Sequence, residues 1–417
     1  IETFSILMYI VLTTKTNIQK GKCLMGKSIY HSKSIYNCFK RLNLGLFLSD
    51  VSLKHVMAII TAVFMQGFHG KTVDFAACSS CHRTTIAHFL NQGRWDDASL
   101  EDTLKRTVTK IIYKEALDSG KPVFCIVDDT ISSKTKPSSR ALHPIEDAYF
   151  HQSHLKRRQD YGHQAVAVML SCNGIVLHYA TVMYDKSQSK IGIVCDIAEE
   201  LPEAPVPSYF LCDSWYTSTK VMDAFIRKGF YTTGAVRTNR VIYPCGIRQK
   251  ISSYALHIRK TDADVSLVTA GKRQYCVYRY EGSLNEVENA VILISYPREA
   301  FHCPKALRAF ICTNPSLNTE EILDMYVERW PIEVFFRSSK GKLAFSQYQI
   351  RTSRGIHRYW LLMSLAHLIC CIGTGEKRSF EKGYAIFKKQ LQEERIRYIY
   401  QCGANHAPVE ELLALIG

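Results

Sequence analysis

The stretch QAVAVMLSCNGIVLHYATVMY, residues 164–184, constrains the fold more than any other. Two β-rich runs flank Asn173-Gly174, and an Asn-Gly pair in that setting is the strongest short-range signal for a two-residue hairpin. Its neighbours set the fold class. Upstream, PVFCIVDD is a continuous apolar run of strand length that ends on Asp128 and Asp129. Downstream come a helical segment, KIGIVCDIAEELP, and a short apolar strand, SYFLCD, ending on Asp213. A helix, STKVMDAFIRKG, and a fifth strand, FYTTGAVRT, complete the series. The order strand, two-strand hairpin, helix, strand, helix, strand predicts an α/β fold, a mixed sheet flanked by helices.

The flanks have a different texture. Residues 45–118 read as helical, with VSLKHVMAIITAVFMQG carrying apolar residues at three- and four-residue steps. Within that region Arg83, Thr84, Thr85 and His88 open a short helix after a Ser/Cys turn. A helix–turn–helix uses such a placement to set polar and basic side chains against DNA; a plain helical bundle is the alternative. Between 240 and 304, VSLVTAGKRQYCVYRYEGSLNEVENAVILISY alternates and reads as antiparallel β, and RAFICTN reads as a return strand. NPSLNTEEILDMYVERW then starts a helix, with Asn318 as cap, Glu321 closing a capping box and Leu317 and Ile322 as a staple. An apolar helix containing RYWLLMSLAHLICCI falls within 342–372, and a charged helical tail follows. The expected divisions are a helical, DNA-binding region at 1–118, a core from 119–238 and 305–375, a β-rich insertion at 239–304 and a tail at 376–417.

Lys and Arg outnumber Asp and Glu by 53 to 38, a formal charge of +15. That excess favours an anionic partner, nucleic acid before an acidic membrane surface. Fifteen cysteines are scattered mostly singly, several inside apolar strand-like runs. That usage suits a reducing cytoplasm rather than a disulfide framework. CSSCH, with Cys78, Cys81 and His82, resembles half a zinc site or a haem-attachment string. It lacks a second ligand pair, so a packing role at a helix turn is expected. No apolar run is expected to reach the ~18 residues of a membrane span. ILMYIVL, residues 6–12, is too short, and no signal-cleavage site follows it. The chain does not begin with Met, and residues 1 to about 20 are expected to be a truncated or upstream-read start.

The most unusual composition lies in YVERWPIEVFFRSSK, residues 326–340. At roughly 100° per residue, Tyr326, Arg329, Glu333, Arg337 and Lys340 fall on one stripe. Pro331 would cost ~3 kcal/mol inside a helix. The helix is therefore expected to break and restart there, with Glu333 in the first turn of the second segment. A lone Glu among cations is ordinarily a solvated ion pair worth a few tenths of a kcal/mol, but Tyr326 and Trp330 do not suit a solvated face. Three acids then stand out by position: Asp128 and Asp213 at strand ends and Glu333 on a helix. Such a frame suits phosphoryl transfer with two Mg²⁺ ions about 4 Å apart, each held by few carboxylates plus substrate phosphate.

Tyr326-x2-Arg329-x3-Glu333-x6-Lys340 matches the Y-R-E-K signature of the DDE transposases encoded by bacterial insertion sequences. The strand order resembles their ribonuclease H-like core, and the β-rich segment looks like the insertion they carry before the third acid. The resemblance spans about residues 75–372. It implies that Asp128, Asp213 and Glu333 form the catalytic, metal-binding triad, and that Tyr326, Arg329 and Lys340 contact the element's end. Arg337, on the same stripe, and Trp215, two residues after Asp213, join them as DNA-binding candidates. Trp215 would stack on a base or pack in the core. The family's Asp-x-Thr pattern fits Asp128-Asp129-Thr130, which favours Asp128 as the first ligand and leaves Asp129 as the alternative. Lys134, Lys136, Lys156, Arg157 and Arg158 would line the DNA path or form a solvated basic loop, and His163 is expected to be structural.

The implied activity is that of a transposase. It would cut the ends of an insertion sequence and join them to target DNA, using two Mg²⁺ ions with Mn²⁺ as a substitute. The implied partners are double-stranded DNA, as terminal inverted repeats and as target, and a second copy when two ends are paired. No membrane is implied, and the location would be cytoplasmic, at the nucleoid. Two alternatives stand beside this: a ribonuclease H-like endonuclease without strand transfer, and an inactive DNA-binding relic.

Overall fold

The computed structural model describes residues 32–410, apart from positions 66, 143, 154, 155, 271, 286 and 374. The expectations for ILMYIVL and for the start of the chain lie outside the described residues. The chain divides into two units, 31–394 and the pair of segments 1–30 and 395–417. Apart from the end of the last helix, everything below concerns the first.

Among the described residues five α-helices come first: α1 (Lys33–Arg41), α2 (Asp50–Val63), α3 (Thr72–Ala77), α4 (Arg83–Asn91) and α5 (Asp97–Ser119). Side-chain oxygens begin three of them, Ser32 at α1, Ser49 at α2 and Asp96 at α5, each accepting an amide N–H from the first turn. Gly120, at φ 66°, ends α5 in the left-handed conformation that glycine adopts freely. In α5 the residues Leu100, Leu104, Val108, Ile112 and Ala116 are buried at four-residue steps.

The sheet begins with β1 (Phe124–Ser133), β2 (Tyr149–Ser153), β3 (Arg158–Cys172) and β4 (Ile175–Tyr184). Asn173 and Gly174 take φ of 49° and 78°, the two positive values that a type I′ hairpin turn requires. Next come α6 (Lys190–Glu200), β5 (Ser208–Cys212), α7 (Thr219–Ile226) and β6 (Phe230–Val236). The hydrogen-bonded order is β4-β3-β1-β5-β6, with β3 antiparallel to β1 and β5 and β6 parallel to it. β2 pairs with the first part of β3.

The β-rich segment supplies β7 (Val241–Ile242), β8 (Gln249–Lys250), β9 (Val265–Ala270), β10 (Arg273–Leu284) and β11 (Val287–Pro297). It does not form a sheet of its own. β12 (Arg308–Cys312) lies between β11 and β6, so all twelve strands among the described residues belong to one sheet.

Four helices follow. α8 (Thr319–Val327) opens with the expected capping box: Asn318 Oδ1 accepts from the Glu321 amide (2.9 Å) and Glu321 Oε2 from the Asn318 amide (2.7 Å). α9 (Pro331–Lys342) carries Pro331 at its first position, where the missing N–H costs nothing. Its Ile332, Phe335 and Phe336 pack on Ile126, Ala167, Met169 and Leu211 of the sheet. α10 (Ser353–Ile372) corrects one expectation, since it is long and apolar enough to cross a membrane by composition. In the folded chain most of it is buried, Trp360, Leu362 and Ile369 included, and it serves as a core helix. α11 (Phe380–Ala404) follows.

Candidate active site

β1 and β5 run parallel, and their last paired residues are Val127 and Cys212. The next residue after each is a carboxylate: Asp213 just past the end of β5, and Asp128 within β1. β1 does not end on its two acids as expected but runs on to Ser133 against β3, so the acids mark the edge where the parallel pairing stops. That edge is where open α/β sheets present their ligands. Asp128 lies two residues beyond Ile126, on the face that α9 covers. Arg329 sits between α8 and α9. It donates from Nη1 to Asp128 Oδ2 (2.9 Å) and from Nη2 to Glu333 Oε1 (3.1 Å). The helix break at Pro331 thus leaves Arg329 and Glu333 four residues apart and linked, with Asp128 on the other arm of the guanidinium.

Charge is crowded here. Burial, opposed by Arg329 and reinforced by the charge of Asp213, pushes the Asp128 carboxyl up to about 7. Burial also raises Asp213, although the Trp215 amide donates to its Oδ1 (2.9 Å) and opposes the rise. Asp129 points the other way, as strand alternation demands. Its Oδ1 accepts from Gln164 Nε2 (2.6 Å), and its Oδ2 accepts from Lys190 Nζ (2.7 Å) and the Tyr216 hydroxyl (2.7 Å).

The other candidates divide by environment. Lys340 Nζ donates to Thr130 Oγ1 (2.6 Å) and the Ile131 carbonyl (3.3 Å), tying α9 to β1 just past the acids. The Tyr326 ring meets Phe310 (centroids 4.8 Å) and lies under Arg329 (5.9 Å). Arg337 is exposed. Trp215 is not a core residue: it is 45% exposed, and Lys190 Nζ (4.5 Å) and the Arg237 guanidinium (5.1 Å) rest on its ring. Beside it a cleft of about 780 Å³ is lined by Ser214, Arg237, Asn239, Arg308 and Tyr326 over a floor that includes Val236 and Phe310.

Among the basic loop residues, Lys134 is withdrawn from any DNA path. Its Nζ donates to the carbonyls of Ser346 (2.9 Å) and Tyr348 (2.7 Å), and burial lowers it to about 8. Lys136 lies over the Phe150 ring (5.3 Å), and Lys156 pairs with Asp160 (2.7 Å); Arg157 and Arg158 are exposed. His163 is buried between the Glu146 carbonyl (2.8 Å) and the Tyr348 hydroxyl (2.8 Å). In CSSCH, Cys78 Sγ lies 3.0 Å from Met65 Sδ, while His82 Nδ1 accepts from the Thr84 amide (3.4 Å) as the cap of α4. The sequence reading missed Gln164, Lys190, Tyr216 and Arg237. Each is an ordinary residue in an ordinary element, and only the tertiary pairing reveals it.

Among the described residues, no group of three or more His, Cys, Asp or Glu side chains is gathered to hold a metal ion. Arg329 occupies the space between Asp128 and Glu333. The donor set nonetheless suits a hard cation: it offers oxygen only, and burial raises two of its carboxyls despite the neighbouring Arg329. Residues 119–369, more than half of the chain and all of this site, match the family model described as the transposase DDE domain. No curated protein matches the chain.

Proposed function

The chain belongs to the transposase DDE domain family, and we propose that it serves a bacterial insertion sequence, in the branch with the Y-R-E-K signature, cutting the element's ends and joining them to target DNA. The observation that carries this reading is a pair of carboxylates placed where the parallel pairing of β1 and β5 stops, one of them tied through Arg329 to Glu333. The order β4-β3-β1-β5-β6 supports a ribonuclease H-like core from 119–238 and 305–375, with 239–304 as its insertion. In the same reading 1–118 is the DNA-binding helical region, with Arg83, Thr84, Thr85 and His88 exposed on α4, and 376–417 is the tail.

Asp128, Asp213 and Glu333 would hold two divalent cations, Mg²⁺ with Mn²⁺ as a substitute. Such ions supply activation of an attacking oxygen and stabilisation of a leaving one. The chain's own groups do the remaining work. Arg329 offsets the carboxylates in the free protein, and its planar fork fits a phosphate equally well. It is thus placed to exchange Asp128 and Glu333 for the DNA backbone. Lys340 fixes the end of β1 beside it, and Tyr326, Arg337 and Trp215 border the same DNA path. Pairing two element ends calls for two copies of the chain, acting in the cytoplasm at the nucleoid.

The test uses purified full-length protein, a labelled duplex spanning the DNA that brackets the reading frame, and a second duplex as target. Asp128→Asn, Asp213→Asn and Glu333→Gln are each expected to lower end cleavage roughly a thousandfold at saturating Mg²⁺, with duplex binding retained. A Glu333→Gln protein that cleaves like wild type would falsify the assignment. Cleavage without a joined product would point instead to an endonuclease, and binding without cleavage at any divalent metal to a relic.

A further inference from the structure

Asp129 invites confusion with its neighbour: it is an acid within β1, one residue from a proposed metal ligand. Its surroundings assign it other work. The carboxylate already receives three donors, Gln164 Nε2, Lys190 Nζ and the Tyr216 hydroxyl, at 2.6–2.7 Å. They come from three elements: β3, the first residue of α6, and the loop after β5. The Tyr216 side chain has no exposed surface, so its only route to satisfaction is this inward bond.

Two of these donors bear directly on Trp215. Tyr216 is its chain neighbour, and Lys190 Nζ, fixed by Asp129, stands 4.5 Å from the centre of its ring. Arg237, at the end of β6, rests on the same ring at 5.1 Å. Arg237 is exposed, and no carboxylate pairs with it among the described residues. The Trp215 amide in turn donates to Asp213. One carboxylate therefore anchors Lys190 directly and, through Lys190 and Tyr216, the indole on which Arg237 rests, along the rim of Asp213 and at the mouth of the cleft lined by Ser214, Arg237 and Asn239. A cation on an indole and a planar guanidinium beside it make a ready contact for a phosphate.

The geometry points to Asp129 as a positioning residue that, through Lys190 and Tyr216, holds Trp215 and Arg237 as a phosphate-gripping rim for the DNA strand passing Asp213. This rests on the DNA-cleaving reading above. Asp129→Asn removes the charge that holds Lys190 and turns one of the two accepting oxygens into a donor. Either Gln164 loses its acceptor, or Lys190 loses its own and the Tyr216 hydroxyl must turn to accept; in both cases the ion pair with Lys190 is gone.

The experiment has two arms. In the first, without DNA, iodide quenching is compared in wild type and Asp129→Asn, with the Trp215 signal isolated by subtracting the matching Trp215→Phe forms. Asp129→Asn is expected to make Trp215 more quenchable. In the second, cleavage of the labelled end duplex is followed against DNA concentration and against Mg²⁺. The half-saturating DNA concentration is expected to rise roughly tenfold, with the Mg²⁺ dependence of cleavage unmoved. Combining Asp129→Asn with Trp215→Ala is expected to weaken binding no further than Trp215→Ala alone.

A shifted Mg²⁺ dependence with unchanged DNA affinity overturns the inference, because Asp129 would then be a ligand. Unchanged quenching also overturns it. If Asp129→Asn fails to fold, Lys190→Gln and Tyr216→Phe cut the same network one bond at a time and are read in the same two arms. Wild-type protein that cleaves no DNA defeats the functional reading, while the quenching arm still judges whether Asp129 positions Trp215.

Discussion

Arg358 has no exposed surface, yet it carries a full charge in the interior of the helical layer. Its Nε and Nη2 donate to the two oxygens of Asp97 (3.0 and 2.9 Å). Its Nη1 serves the carbonyls of Phe89, Leu90 and Gly93 where α4 ends, and the guanidinium lies over the Trp95 ring (4.7 Å). Arg358→Met leaves Asp97 and those carbonyls without their donor. Breaking one side of a buried pair costs about 3–5 kcal/mol, and urea unfolding of the variant at neutral pH is expected to show a loss of that size. A cost near zero would mean that water reaches the site and replaces the guanidinium. Such residues mark the limit of what a linear sequence displays. Arg358 reads as one more cation at the start of an apolar helix, and its partner stands 261 positions away. That Asp128 and Asp129 face opposite ways follows from strand alternation, which is local. That Arg329 would meet one and Lys190 the other depends on which elements cover each face.

Elements were more legible than contacts, for the same reason. The Asn173-Gly174 turn, the Asn318–Glu321 capping box and the break at Pro331 each depend on a few adjacent residues, and each stands in the structure as its chemistry requires. Asn318→Ala is expected to cost about 1 kcal/mol, read from the thermal midpoint, and to leave the midpoint's DNA dependence alone. The extent of the sheet was not legible. The β-rich segment reads as an insertion whose pairing partners are not visible in it, and only the pairing of β12 with both β6 and β11 makes it continuous with the core. The docking of α11 was equally hidden. A Cβ added at Gly383 would press on the Cys370 carbonyl carbon at 2.5 Å and its Cα at 2.9 Å, with the carbonyl oxygen nearer still. Gly383 is therefore needed for close approach to α10 and not for a special φ. Gly383→Ala would ordinarily favour a helix by up to about 1 kcal/mol. Here it is expected to lower the thermal midpoint, since backbone cannot yield as a side chain tip would. A raised midpoint would show that α11 does not dock on α10 in solution.

At the scale of the whole unit, two buried histidines sit where sheet and helices meet, behind the helix that carries Glu333. His178 of β4 stacks on Phe335 of α9 (4.6 Å), and its Nε2 bonds Thr181 Oγ1 (2.7 Å). His367 of α10 stacks on Phe380 of α11 (4.8 Å) and meets Phe335 edge-on (5.2 Å). Burial pushes each imidazole down to about 3, and for His178 the neighbouring His367 adds to the effect. Both are neutral in the fold, while an unfolded histidine takes up its proton near 6.5. Below 6.5 the unfolded chain binds more protons, so stability is full above that value and is lost as pH falls toward 3, by roughly 1.4 kcal/mol per pH unit for each ring. Asp128 acts in the opposite direction. Its carboxyl, raised from 3.8 to about 7, favours the fold as pH falls through that window. The net slope in wild type therefore mixes the two signs, and a difference measurement separates them. In His367→Phe, which keeps a ring against Phe380 but cannot titrate, Asp128 is untouched. The variant's thermal midpoint is expected to fall less steeply than that of wild type between pH 6.5 and pH 4.5, with the gap widening as the pH drops. Parallel curves across that range would mean that His367 takes up its proton in the folded protein, and that the space behind Glu333 is wet rather than packed.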